Sequence, residues 1–171
     1  MFFVRSAEKV PCPCCQGALG CIGSRRRTRI QASGEVNRLI IRRLHCEDCK
    51  RVHHELPDIL VPYKRYDADS IERVVAGTGA TDVAADDATL SRWRRWFSAW
   101  LVYALGCLAS IAIRFNLPVK DPSVPSPSAL QAIGRFVGEA AGWLARVVRP
   151  IANSNRWVTD PFCVPVRLPL R

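Results

Sequence analysis

The sequence predicts an α+β protein in which a small β-structure bounded by cysteines precedes an all-α region. Three observations support this class. Two C-x-x-C pairs lie within residues 12–49, a stretch rich in arginine and β-branched residues separates them, and apolar residues recur at helical spacing beyond residue 68. The chain has 171 residues, which suffices for one domain or two small ones but not for a large enzyme core.

The paired cysteines have the spacing of a structural metal site. Two intervening residues allow a tight turn that brings both thiolates to one tetrahedral ion, at about 2.3 Å each for zinc. The gap between the pairs is longer than usual but accommodates a hairpin, and the unit would then be a zinc ribbon. The sequence therefore predicts one zinc ion bound by four ligands, Cys12, Cys15, Cys46 and Cys49.

Other cysteines and histidines lie outside this predicted set. Cys14 would point away from an ion held by its neighbours, and Gly17 is expected to supply a positive φ after the first pair. Because four sulfurs complete a structural site, His53 and His54 are expected on a third strand or at a nucleic-acid surface. The cysteines without a partner at ligand spacing are interpreted as small apolar residues: Cys21, Cys107 and Cys163.

A basic β-hairpin is expected between the two pairs. Two segments rich in β-branched residues flank the turn signal Ser33-Gly34. Residues 21–45 carry seven arginines and a single acidic residue, and the period of two places Arg25, Arg27 and Arg29 on one face. Such a row can follow phosphates, whereas the alternative is a solvated edge that resists aggregation. The predicted nucleic-acid contacts in the hairpin are Arg25, Arg26, Arg27, Arg29, Arg42 and Arg43.

Two helices are expected after the hairpin. Asp69 and Glu72 fit a capping box for a short helix that ends near Gly77. Asp86 or Asp87 would cap a stronger helix. Its apolar stripe consists of Leu90, Trp93, Phe97 and Leu101.

A short helix, a connection and a basic helix form the layout of a helix-turn-helix, in which the start of the second helix reads base edges. The alternative is a pair of packing helices with a solvated arginine face. The candidate contacts on the second helix are Arg92, Arg94 and Arg95.

An uncharged segment, residues 96–113, is just long enough for a transmembrane helix. Arginines at both ends give no orientation. Small residues dilute the segment, so the favoured interpretation is a long helix that continues the basic helix and is buried by a partner. A single span in the inner membrane is the alternative.

The expected organisation beyond the ribbon is as follows. Residues 1–62 form the ribbon, residues 63–116 the helix-turn-helix-like region with its long helix, and residues 117–128 a Pro/Ser linker. Residues 129–150 form an amphipathic helix that packs on the long helix or serves as a homodimer surface. The tail, residues 151–171, is expected to be irregular.

The stretches "CPCC", "IGSRRR", "LIIRRLHCEDCKRVHHELPDILVPYKRY" and "ATLSRWRRWF" resemble an uncharacterised family of short bacterial proteins, a domain of unknown function. The resemblance covers roughly residues 10 to 115. The layout is also similar to the N-terminal zinc-ribbon and helix-turn-helix segments of transposases. This similarity implies a mobile-element or phage setting and supplies no catalytic residue.

The net charge of +10 favours an anionic partner. The N-terminus has no signal-peptide pattern, so a cytoplasmic location is expected, where clustered cysteines bind metal more often than they form disulfides. There is no phosphate-binding glycine loop and no nucleophile–base pattern, and the acidic residues before the helices fit caps better than a nuclease site. The sequence therefore predicts a zinc-containing, non-enzymatic DNA-binding protein. The alternatives are a membrane-anchored zinc-ribbon adaptor and, less favoured, an enzyme fragment whose chemistry lies in another chain.

Overall fold

The computed structural model describes residues 2–4, 10–78, 82–119 and 128–154. It is an α+β protein with a small N-terminal sheet followed by helices. The strands are β1 (Phe2–Phe3), β2 (Leu19–Ile30), β3 (Val36–Cys46) and β4 (Val52–His54). The helices are α1 (Ala68–Ala76), α2 (Asp87–Arg114), α3 (Ala129–Val137) and α4 (Trp143–Asn153). Cys163, which was predicted to be a small apolar residue, lies outside the described residues, as do most of the predicted linker and tail.

Strand β3 is the centre of the sheet. It pairs antiparallel with β2 along one side and with β4 at its end, while the short β1 pairs parallel with Leu39 and Ile40. The predicted hairpin and its turn are confirmed, because Gln31 N–H donates to the Glu35 carbonyl and Gly34 has a φ of 85°. The predicted third strand, which carries both histidines, is also confirmed.

The sheet has little hydrophobic core of its own. Leu39, Ile41 and Leu60 are buried together, with Val4 and Leu56 packed against them. A cluster of this size cannot offset the entropy of ordering a long hairpin. The sheet therefore needs another source of stability.

A connector joins the sheet to the helices through a partly buried ion pair. The Arg29 guanidinium donates to Asp67 Oδ2 from both Nε and Nη2, at 3.2 and 2.9 Å. The other oxygen of Asp67 accepts from the N–H of Ser70 and caps α1. The predicted capping box is thus wrong, because the N-cap is two residues before Asp69.

Glu72, the other half of that predicted box, points to a different helix. Its carboxylate accepts hydrogen bonds from the N–H groups of Gly142 and Leu144, at 2.7 and 2.8 Å. A carboxylate at this place satisfies the free N–H groups at the start of α4 and interacts favourably with its dipole. Glu72 therefore ties α1 to α4.

Helix α2 is the axis of the helical half. Asp86 caps it by accepting from the N–H of Thr89, and the predicted buried stripe is confirmed at Leu90, Trp93 and Phe97. Helices α1, α3 and α4 pack on it. The aromatic core contains Trp93, Trp96, Phe97, Trp100 and Trp143.

The predicted helix over residues 129–150 is interrupted. It forms α3 and α4, separated by Gly138 and Gly142, which both have positive φ values near 80°. Arg146 covers the exposed carbonyls at this break, since it donates to those of Val137, Ala140 and Ala141. Pro150 lies inside α4 rather than ending it. Both helices pack on α2 of the same chain.

Among the described helices, α2 is the one long and apolar enough to cross a membrane by length and composition. In its most apolar window, 44% of the residues are buried within the protein. Its uncovered side includes Val102 and Ile113, which are 78% and 82% exposed.

Candidate metal centre and basic surface

The two C-x-x-C pairs adopt the same backbone turn. The N–H of Cys12 donates to the carbonyl of Gly17, and the N–H of Cys46 donates to that of Arg51, at 2.8 and 3.0 Å. In both turns the residue after the second cysteine has a positive φ, 66° at Gln16 and 58° at Lys50. Two segments far apart in sequence thus present their thiols in equivalent ways, as two knuckles gripping one ion would.

The four predicted thiols converge. The sulfurs of Cys12 and Cys49 lie 3.5 Å apart, those of Cys15 and Cys46 lie 3.4 Å apart, and all four lie within 4.8 Å of one another. Sulfurs around one tetrahedral zinc ion lie about 3.8 Å apart when each Zn–S bond is about 2.3 Å. The cluster could therefore hold a metal ion.

Burial and hydrogen bonding set the protonation of these thiols. Burial opposes ionisation of Cys12, but the backbone N–H groups of Cys15 and Cys14 and the adjacent thiols lower its pKa to about 5. The N–H of Arg51 favours the Cys49 thiolate, but burial and the neighbouring thiols raise its pKa to about 12. A cation binding here must displace protons, so affinity falls as the pH falls.

Gly17 has a different role from the predicted one. The positive φ belongs to Gln16, and a Cβ at Gly17 would collide with the Asp48 carboxylate. Asp48 belongs to the second knuckle, between Cys46 and Cys49. Gly17 therefore leaves room for the Asp48 carboxylate in its observed position.

Two residues that the sequence placed outside the metal set lie beside it. Cys14 Sγ and His53 Nε2 form a second group with Cys12 and Cys49, and its four donor atoms also lie within 4.8 Å of one another. His53 Nε2 is 3.4 Å from Cys12 Sγ. The sequence signal that could have identified His53 as a ligand is its position four residues after Cys49, within β4. The other two described cysteines belong to neither group: Cys21 is exposed on β2 and Cys107 is buried in the helical core.

Two of the predicted hairpin contacts are used inside the protein. Arg29 forms the ion pair with Asp67, and Arg42 forms a two-pronged ion pair with Glu55. The hydrogen bonds that Arg42 donates to Glu55 raise the pKa of its guanidinium. These two arginines fix the connector and β4 against the hairpin.

Other arginines crowd along one face of the sheet. Arg25 is exposed opposite Ile41, and Arg43 is exposed beside His54 on β4. Burial lowers the pKa of His54 most, and the positive charges of Arg25, Arg43 and Arg27 lower it further. Arg26 is exposed on the opposite face, since neighbouring side chains of a strand alternate.

This positive charge continues across the connector to α2. Arg27 donates to the carbonyl of Lys64 at 2.9 Å, and burial, Arg25 and Arg65 lower its pKa. The Lys64 ammonium lies 4.3 Å from the centre of the Trp96 ring, and burial and then Arg92 lower its pKa. We call this set of neighbouring cations the basic band: Arg43, Arg25, Arg27, Arg65, Lys64 and Arg92.

The remaining predicted contacts, Arg94 and Arg95, are exposed on the first turns of α2, as Arg92 is. The residues between and beyond them, Trp93, Trp96 and Phe97, face the core. The start of α2 thus presents three arginines to solvent on a helix anchored by aromatic packing.

Residues 12–93 match a domain of unknown function, DUF6431. The matched segment contains all four predicted zinc ligands, Cys14, His53, the complete basic hairpin and the start of α2. This is consistent with the predicted resemblance to an uncharacterised domain family. No curated protein and no solved structure matches the chain.

Proposed function

We propose that this chain is a zinc-binding, non-catalytic DNA-binding protein, a recognition module of the kind that transposases carry, acting in a mobile-element setting. The observation that carries the proposal is the basic band, which joins arginines of the hairpin to the start of α2. A cluster of positively charged side chains attracts the negatively charged phosphate backbone of DNA.

Zinc is the proposed ion because of the donors. Four clustered cysteine sulfurs suit zinc, which needs no redox chemistry and forms closed, tetrahedral structural sites with this ligand set. The ion would join the segment before β2 to the end of β3, at the open end of the hairpin, and thereby hold the hairpin arginines in register.

Two types of DNA contact are proposed. Arg25 and Arg43 lie on the sheet and would position the backbone, whereas Arg92 and Arg95, one turn apart on α2, would reach base edges in the major groove. The connection between α1 and α2, residues 77–86, is longer than the turn of about three to four residues in a typical helix-turn-helix. The proposed element is therefore a variant in which α1 supports α2 across a longer loop.

Salt-dependent binding tests the proposal. Fluorescence anisotropy with a duplex library and scrambled duplexes, at several salt concentrations, should show tight binding at low salt. Replacing Arg25 and Arg43 with alanine should weaken binding to all sequences and reduce the log–log salt slope by about 0.9 for each phosphate that the protein no longer neutralises. Replacing Arg92 or Arg95 should instead reduce the preference among sequences, by about 1–3 kcal/mol per good base pairing.

The matched control is Arg73→Ala. Arg73 is an exposed arginine on α1 that pairs with Asp69 and is outside the basic band. This variant removes the same charge and should leave both slope and preference unchanged. A wild-type protein that binds no duplex at low salt would contradict the proposal.

The second candidate is a membrane-anchored zinc-ribbon adaptor, and α2 is the observation that favours it. The helix is long and apolar enough to span, and part of its surface is uncovered. Its tryptophan-rich side, however, packs on α1, α3 and α4, which a single span would have to release. Fractionation of cells separates the candidates, since the adaptor requires detergent for extraction and the DNA-binding protein does not.

A further inference from the structure

The candidate metal centre contains six donor atoms rather than four. Two groups of four can be drawn from them, and both contain Cys12 and Cys49. Cys15 and Cys46 complete one group, and Cys14 and His53 complete the other. Two tetrahedra that share an edge need six donors, two of them common, and this is the donor count present here.

The distances around Cys12 suit a shared ligand. Its sulfur lies 3.5 Å from Cys49 Sγ and 3.4 Å from His53 Nε2. Ligands on a common zinc ion lie about 3.6–3.8 Å apart, given bonds of about 2.3 Å to sulfur and about 2.0–2.1 Å to nitrogen. A thiolate sulfur has more than one lone pair, so it can bind two ions at once.

We propose that the cluster holds a second divalent metal ion, bound by Cys14 and His53 and bridged to the first ion by the thiolates of Cys12 and Cys49. The inference rests on the proposed four-thiolate zinc site, whose two knuckles position three of these four ligands. Strand β4 supplies the fourth, since its pairing opposite Leu44 turns His53 towards the knuckles.

Charge balance favours the second ion. One divalent ion on four thiolates has a formal charge of +2 − 4 = −2. Adding an ion, the Cys14 thiolate and a neutral imidazole gives +4 − 5 = −1. Arg51 donates a hydrogen bond to Cys14 Sγ at 3.4 Å and would neutralise this remaining charge. Reducing the net charge of a partly buried cluster lowers the cost of its desolvation.

The second position is also accessible. Cys12 is fully buried, but Cys14, Cys49 and His53 are each partly exposed. An ion can reach these three donors from solvent after the first ion has organised the knuckles.

Metal stoichiometry of the full chain tests the proposal. The protein is saturated with zinc, freed of excess by gel filtration and analysed for metal and protein. The wild type should contain two ions per chain, whereas Cys14→Ser and His53→Ala should each contain one and keep the wild-type circular dichroism. Cys21→Ser, which removes an exposed cysteine outside the cluster, should keep two. One ion in the wild type would overturn the proposal and leave His53 as a hydrogen-bond partner of Cys12.

A spectroscopic measurement locates the second ion. Cadmium-113 replaces zinc, and its NMR spectrum should show two signals, one from four sulfurs and one from three sulfurs and a nitrogen, coupled to each other through the shared thiolates. His53→Ala should remove the second signal. Two uncoupled signals that are insensitive to Cys14 and His53 would overturn the bridging arrangement, and no bound metal at all would overturn the four-thiolate site itself.

Discussion

The sheet and the helical half are built on opposite principles. The sheet buries three apolar residues together, Leu39, Ile41 and Leu60, whereas the helical half buries a large cluster around four tryptophans and a phenylalanine. Apolar burial is the main favourable term in folding. The helical half can thus be held by its core, while the sheet has a cysteine cluster that could hold a metal ion in place of a large core. The two halves thus differ in their source of stability, and they are joined by the Arg29–Asp67 ion pair together with contacts such as the hydrogen bond from the N–H of Ala84 to the carbonyl of Ala32.

Removing the metal should produce the largest difference in stability between the sheet and the helical half. Structural zinc contributes about 10–16 kcal/mol in small zinc domains, which three buried residues cannot replace. A chelator should therefore unfold the sheet while the helices persist. The amide NMR signals of β2 and β3 should lose their chemical-shift dispersion, whereas the helical circular dichroism should remain. Cys15→Ser should give the same state without chelator, and a simultaneous loss of helix signal would contradict the division.

Trp100→Ala should have the complementary effect. Trp100 is fully buried and stacks on Trp96, with ring centres 5.3 Å apart. Its truncation should cost about 3–5 kcal/mol of unfolding free energy, measured by urea denaturation, while metal content stays unchanged. Val102→Ala on the exposed side of α2 is the control and should be close to neutral. Loss of metal on Trp100→Ala would show that the two halves do not hold independently.

Asp67 tests the joint between the halves. Asp67→Asn keeps an oxygen to cap α1 but loses the charge that faces Arg29, and should cost about 2–3 kcal/mol, below the range for fully buried pairs because Arg29 is partly exposed. Asp67→Ala should cost about 1 kcal/mol more, since it also removes the cap. Thermal unfolding measures both. Equal values for the two variants would assign the whole effect to the lost charge and none to capping.

Glu72→Gln tests the contact that joins α1 to α4 within the helical half. The amide keeps one oxygen as an acceptor, but it turns its NH2 group towards the second N–H of α4 and loses the charge that interacts with the helix dipole, so the unfolding free energy should fall by about 2–3 kcal/mol. Glu139→Gln, at an exposed position, serves as the control. The outcome that contradicts this role is a variant as stable as the wild type.

Local patterns predicted most of the elements. The paired cysteines, the Ser33-Gly34 turn and Gly77 at the end of α1 are short-range signals, and the structure confirms each one. Such features depend on a few neighbouring residues, so the sequence displays them directly.

Features that depend on distant partners were not predictable in the same way. The break between α3 and α4 depends on Glu72, which caps α4 from seventy residues away. His53 approaches Cys12 because of the register of β4. Arg29 and Arg42 looked like solvent-facing cations, but their acidic partners, Asp67 and Glu55, lie on other elements. In each case the local pattern was intact and the tertiary contact determined the role.

The order of the elements along the chain has a consequence for biosynthesis. All six candidate metal donors have been translated once residue 53 is made, whereas the helical core cannot close until α4, residues 143–153, is available. A nascent chain grows from its N-terminus at about 5–20 residues per second. The sheet can therefore capture its ion and become ordered seconds before the tryptophans of α2 find their partners. During that interval the sheet is folded while the apolar side of α2 has no partner helices to cover it. Chaperones would encounter the chain in this partly folded state.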